Sequence, residues 1–420
     1  MPLVKQEKPT YYEKPKFPDY PSSEWRARIN KAQKLMAENE IDCLTLWNRE
    51  DVYYFSAFQT THWWLPSIQP AILLLFVDRE PLLIVPSLLH GLAEALSWVR
   101  DMNILEEAHE APAQRQLPKD VANLIKELGY GRKNIGLETG PLGCMWIPRP
   151  LCDIDAFRDA LPDARFVDGE KVYWGCRMIK SPFEIDRIRK SVEGIRIIQA
   201  TLVEEFRPGM SEIELVKILH RKAAELEGTL IRDNAFGLKG MYICSLEAES
   251  VFDIGALDGV TIGKGDYIII DNMLTYRSYG ADNARTFQVG PITDKIKKNY
   301  ELMWECQDRG GDILKPGITA SDLYNATVEP MKAAGLSVLE LVGHGVGLIN
   351  HEPPFLDAHN EIVLQEGMTL SIEPWIVAGF KSQGGDGIFG LQDTFVVTEK
   401  GCEKIEGLRR DIIQVSHPIL

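Results

Sequence analysis

The chain has 420 residues, 45% hydrophobic and 25% charged, enough for more than one hydrophobic core and ordinary for globular domains. Its 61 acidic and 46 basic side chains leave a formal charge of −15, with no lysine–arginine cluster to neutralise phosphates, which argues against nucleic-acid binding. Apolar runs at 71–77 and 81–85 fall far short of a membrane span, and residues 1–20 lack the apolar core of a signal peptide. The seven cysteines (Cys43, Cys144, Cys152, Cys176, Cys244, Cys306 and Cys402) are scattered and form no C-x-x-C pair. That suits reduced thiols in a cytoplasm, not a disulfide framework. The expectation is a cytoplasmic protein acting on a small molecule or peptide, without nucleic acid or membrane.

In chain order, residues 1–20 read as an extended arm broken by prolines. Trp25, Ile29, Ala32 and Leu35 recur at helical spacing and predict a helix over 24–39. Apolar runs at 43–47, 71–77 and 81–85, with helical patterns near 88–98 and 119–127, predict an N-terminal α/β domain over 21–175. Ser181-Pro182-Phe183-Glu184 combines an N-cap serine, a first-turn proline and a capping-box glutamate, so a long helix should run from about 183 to 206. Ser211 and Glu214 repeat the device for a helix ending near 227. Strand-like runs at 267–270, 369–372 and 394–397, with helices near 295–314 and 321–334, complete a second, glycine-richer domain over 176–420.

The candidate chemistry lies in that second domain. Two strand-like runs flank a tip near Tyr276 and Arg277, and a hairpin centred there would set Asp271 opposite Asp282. Like charges in such a pair repel unless a cation, a shared proton or a cationic substrate lies between them; two solvated carboxylates are the alternative. His344 stands among glycines in Gly343-His344-Gly345-Val346-Gly347, where backbone can approach a ligand closely. His351 follows in His351-Glu352-Pro353-Pro354, and Glu373 ends an apolar strand. Imidazole with three carboxylates is a donor set for Mn, Fe, Co or Zn.

Together these pieces resemble the creatinase/prolidase/methionine aminopeptidase superfamily of pita-bread hydrolases, including Arg177-Met178-Ile179-Lys180-Ser181-Pro182 at the start of the second domain. The resemblance spans nearly the whole chain. It implies an α/β (α+β) protein: a creatinase-type N-terminal domain, a pita-bread catalytic domain, and usually a homodimer in which the mate's N-terminal domain closes the site. It maps the family's metal ligands onto Asp271, Asp282, His344, Glu373 and Gln392, and its transition-state histidine onto His351, with Glu373 also a proton shuttle.

Three departures accompany the match. Gln392 stands where dinuclear members have a bridging glutamate, Gly390 where peptidases have an arginine, and Asp253 where they have an upstream histidine. Asp393 could replace the glutamate only by a one-residue shift, which turns a side chain to the other sheet face. The resemblance therefore implies one divalent ion or none. Trp63 and Trp64 offer indole faces to a cationic group, with packing at a domain interface as the alternative. Gln69 lies where creatinase has a carboxylate-binding arginine, and Asp253 could recognise a cationic nitrogen.

The leading expectation is a hydrolase cleaving a C–N bond in a small, zwitterionic, amino-acid-like substrate. The alternatives are an Xaa-Pro aminopeptidase or dipeptidase, and a metal-dependent lyase on an onium carboxylate such as dimethylsulfoniopropionate. Retention of Asp271, Asp282, His344 and Glu373 together argues against a non-catalytic binding module.

Overall fold

The computed structural model describes residues 4–5, 14–64, 69–105, 116–140, 151–226, 236–245, 250–253, 261–377, 388–405 and 407–415. It divides into two compact units, Met1–Arg177 and Met178–Leu420. The division falls two residues beyond the sequence boundary at 175.

Among the described residues, the first unit is built on a seven-stranded mixed sheet. Its order is Val4–Lys5 (β1), Asp101–Leu105 (β5), Leu82–Pro86 (β4), Ile72–Phe76 (β3), Cys43–Leu46 (β2), Asn134–Leu137 (β6) and Arg165–Asp168 (β7). The three central strands, β2, β3 and β4, are buried throughout and therefore read as continuous apolar runs. Part of the expected N-terminal arm is a strand: Val4 and Lys5 pair antiparallel with Ile104 and Asn103 at the sheet edge. The predicted first helix is Ser22–Glu38 (α1), burying Trp25, Ile29, Ala32 and Met36. Helix Arg49–Ser56 (α2) is not legible in the local sequence, because Val52, Tyr53, Tyr54 and Phe55 favour strands and tertiary burial overrides that preference.

In the second unit the capping boxes form as read. Ser181 Oγ accepts from Glu184 N at 3.3 Å while Ser181 N donates to Glu184 Oε2 at 2.8 Å, opening helix Pro182–Glu205. Ser211 and Glu214 do the same for Glu212–Glu225. One five-stranded sheet runs Ile413–Val415 (β19), Tyr279–Val289 (β11), Tyr267–Tyr276 (β10), Phe236–Ser245 (β8) and Ser250–Asp253 (β9). A second runs Glu352–Asp357 (β13), Leu341–Gly345 (β12), Thr369–Ile372 (β14), Asp393–Val397 (β17) and Cys402–Lys404 (β18). A bridge between Ala284 of β11 and Gln392, just before β17, brings the two sheets together. The expected helix pair is Asp294–Ile313 and Ala320–Ala333. The latter packs Ala320, Leu323, Tyr324 and Val328 into a core with Val342, Leu370 and Ile372.

Candidate metal centre and active site

The hairpin of β10 and β11 sets the first two carboxylates. Arg277 and Ser278 form its turn with φ of +46° and +71°, the paired positive values that let a two-residue turn follow the strand twist. The tip lies one residue beyond the one expected, so Asp271 faces Ala284 and Asp282 faces Met273. The direct Asp271–Asp282 pairing is thus corrected to a diagonal one. Because the slip is even, both buried aspartates keep the same sheet face.

His344 lies on β12 opposite Ser371 of β14. A Cβ at Gly343 would lie 2.2 Å from Ser371 O, and one at Gly345 only 2.4 Å from Pro353 O. The flanking glycines therefore admit neighbouring backbone, where the sequence suggested approach by a ligand. His344 Nδ1 is 3.0 Å from the Gly345 carbonyl, which can only accept, so Nδ1 carries a proton and Nε2 is the nitrogen turned toward the carboxylates. That Nε2 is buried without a hydrogen bond among the described residues, 3.4 Å from Asp282 Oδ2 and 3.5 Å from Glu373 Oε1. The His351 ring lies against His344 with centroids 3.8 Å apart, and donor atoms of Asp282, His344 and His351 fall within 4.8 Å of one another. A buried imidazole nitrogen facing two carboxylates fits one divalent cation.

The sheet junction separates Gln392 from Asp393. Asp393 is buried and accepts from Arg285 Nη2 at 2.6 Å and from Lys404 Nζ at 2.7 Å, with Asn283 Nδ2 at 3.4 Å. Burial lowers the Lys404 pKa, although Asp393 opposes the shift. Asp393 is therefore committed to a charge cluster on the face opposite the aspartates. Gln392 is wholly buried, and neither atom of its amide is hydrogen-bonded among the described residues. At position 390 a Cβ would lie 2.7 Å from the Trp375 ring, so the indole occupies space that a longer residue would need.

Comparison with known proteins follows the same outline. The model of metallopeptidase family M24 matches residues 186–399, and that of the creatinase/prolidase N-terminal domain matches residues 28–179. The chain belongs to metallopeptidase family M24. An Xaa-Pro dipeptidase of Pyrococcus furiosus is 27% identical over 390 residues, covering 92% of this chain and 100% of that protein. The prolidase structure from Pyrococcus horikoshii superposes with a TM-score of 0.73 at 25% identity, covering 92% of this chain and 100% of that one. An Xaa-Pro dipeptidase structure from Bacillus anthracis shares the fold with a TM-score of 0.76 at 23% identity, covering 93% and 99%. By this membership the chain is a hydrolase, of a family that depends on divalent metal.

Within this M24 chain, two charged residues with no assigned role in the sequence reading organise the site. Lys180 Nζ lies 3.1 Å from Glu352 Oε2, and both side chains are 1% exposed. Glu352 also accepts from Leu348 N at 3.0 Å and Ile349 N at 3.3 Å, fixing the loop that ends in His351. Position 352, adjacent to His351, was the only signal; nothing in local spacing joins it to Lys180. The hairpin tip is tied in as well: Gly280 N donates to Gly347 O at 2.7 Å, and Tyr279 Oη donates to Glu184 Oε1 at 2.8 Å.

Of the proposed substrate-binding residues, Trp63, Trp64 and Gln69 belong to the first unit and Asp253 to the second. Asp253 ends β9, and its side chain lies outside the described residues, as does that of Trp64. In the first unit, Trp63 is half-buried in the 3-10 turn Thr61–Trp64. Gln69 Nε2 donates to the Trp47 and Ala71 carbonyls, both at 2.8 Å, so both amide protons are used in holding the chain.

Proposed function

We propose that this protein hydrolyses the tertiary amide bond of small Xaa-Pro dipeptides at the Asp282–His344–Glu373 cluster. The observation behind this reading is the convergence of His344 Nε2 on Asp282 Oδ2 and Glu373 Oε1, with the His351 ring tilted against it. Prolidase relatives matching along almost their full length support the substrate class.

Asp282, His344 and Glu373 would hold the divalent ion, with His351 within reach. Such an ion supplies Lewis acidity toward a carbonyl and raises the acidity of water. Glu373 takes the proton of the attacking water and returns it to the proline nitrogen as the C–N bond breaks. Proline nitrogen in an Xaa-Pro bond has no hydrogen of its own, so this delivered proton makes it a leaving amine. His351 donates a hydrogen bond to the oxygen that gains negative charge, the role of a preorganised oxyanion donor. The Lys180–Glu352 pair keeps the His351 loop in place while charge develops.

A second reading, hydrolysis of a C–N bond in a small zwitterion, is favoured by Gln392 and by the Trp375-filled space at Gly390, both departures from the peptidase pattern. The deciding experiment assays protein loaded separately with Mn²⁺, Fe²⁺, Co²⁺ and Zn²⁺ against Xaa-Pro dipeptides, Xaa-Ala controls and guanidino or cyclic amidine zwitterions. Release of free proline in preference to alanine is expected. Turnover of a zwitterion with no proline released under any metal overturns the dipeptidase reading in favour of the second.

A further inference from the structure

Gln392 is a buried polar side chain to which the proposed mechanism gives no work. Ala284 and Gln392 exchange reciprocal backbone hydrogen bonds at 3.2 Å, while Ala284 faces Asp271 on its other side. Residues opposite one another across paired strands project to one face. Asp271, Ala284 and Gln392 therefore form a row on the face that bears Asp282. Asn283 and Arg285 project the other way, onto Asp393.

The row has the wrong chemistry for a second divalent ion. The bridging carboxylate is replaced by a neutral amide, and Asp393 is held on the opposite face by Arg285 and Lys404. Divalent ions of this class bind carboxylate oxygens far better than an uncharged amide oxygen. The same row suits a monovalent cation with hydrogens to donate. One carboxylate matches one positive charge, and the Gln392 amide oxygen adds an acceptor. The amide nitrogen supplies a donor for an oxygen three bonds away from the cationic nitrogen. An α-ammonium beside a carbonyl presents that donor and acceptor side by side. A buried primary amide with neither group satisfied is complementary to it.

We propose that the Asp271–Ala284–Gln392 row is a subsite for the substrate's α-ammonium group, and that the centre holds a single divalent ion. The choice of an α-ammonium rests on the dipeptidase reading above; the ion count does not. In this arrangement Gln392 is a specificity-determining residue, selecting substrates with a free amino terminus.

Two measurements on the full chain test the inference. Mass-spectrometric metal content after Mn²⁺ loading should give one ion per chain for the native protein and two for Gln392→Glu. Thermal shift with L-alanine and N-acetyl-L-alanine should show a response to alanine, weakened by about tenfold in apparent affinity in Gln392→Leu, with Gln392→Met as a second isosteric variant. The acetylated ligand, which lacks the charge, should respond equally in all three proteins. Two ions in the native protein, no alanine response, or equal weakening of both ligands would each overturn the proposal. Neither measurement requires turnover, so a failure to release proline from dipeptides counts against the dipeptidase reading alone.

Discussion

At the residue scale, adjacent positions here do opposite work. Gln392 lies across Ala284 from Asp271, whereas Asp393 neutralises Arg285 and Lys404, with Lys404 Nζ also 4.3 Å from the Trp304 ring centre. Removing the Asp393 charge leaves two cations short of their partner, so Asp393→Asn should cost about 3–5 kcal/mol in urea unfolding. Its bound-metal content should match that of the native protein, and loss of the ion would instead make Asp393 a ligand. Glu373→Gln keeps the shape of the site but removes the proton acceptor. The expected fall in kcat is at least about 10²-fold, measured on whichever substrate the native enzyme turns over. Gly343→Ala would press a methyl group onto Ser371 O and Leu356, 2.2 and 2.5 Å away, and should destabilise the strand by about 1–3 kcal/mol. The types of these residues were legible in the sequence. Their neighbours were not, because the groups that crowd Gly343 and Gly390 come from strands brought together only by folding.

At the scale of elements, the site is a junction of two sheets, and the buried Lys180–Glu352 ion pair braces its His351 loop. Lys180 enters from the turn before helix Pro182–Glu205, and Glu352 begins β13. Lys180→Met leaves Glu352 charged and buried, so a loss of about 3–5 kcal/mol is expected. Activity should fall further than unfolding explains, because the His351 loop loses its brace. Pairing that change with Glu352→Gln should recover part of the stability, as glutamine still accepts from Leu348 and Ile349 but carries no charge. Absence of any recovery in the double variant would refute the pairing argument. The same scale shows what local sequence can carry. Capping boxes at Ser181 and Ser211 are encoded within a single helical turn, and both form. Hairpin register is set by which residues adopt positive φ, and Arg277-Ser278 carries no glycine to announce it.

At the scale of the molecule, each unit has its own buried charge problem. In the N-terminal unit, Asp51 is buried 3.0 Å from Arg177 Nη1, and burial raises its pKa despite that attraction. A carboxyl with a raised folded pKa binds its proton more tightly in the native state. Its contribution is most favourable below the unfolded value of 3.8 and is lost as pH rises through the folded pKa. The stability advantage of native protein over Asp51→Asn should therefore shrink as pH increases above 3.8; an advantage that grows would show that the Arg177 attraction dominates. The homodimer implied by the family resemblance predicts twice the chain mass in light scattering.

The sequence by itself determined the family, the two-domain α/β plan, the capped helices and the donor types, because each is written in short spacings and residue chemistry. Only tertiary structure decided the diagonal placement of Asp271 and Asp282, the commitment of Asp393 to Arg285 and Lys404, and the Lys180–Glu352 brace. It alone left the Gln392 amide buried beside the aspartates. Those depend on strand register and on contacts between residues far apart in the chain, where the energy of a pairing exists only after both partners have been brought out of water.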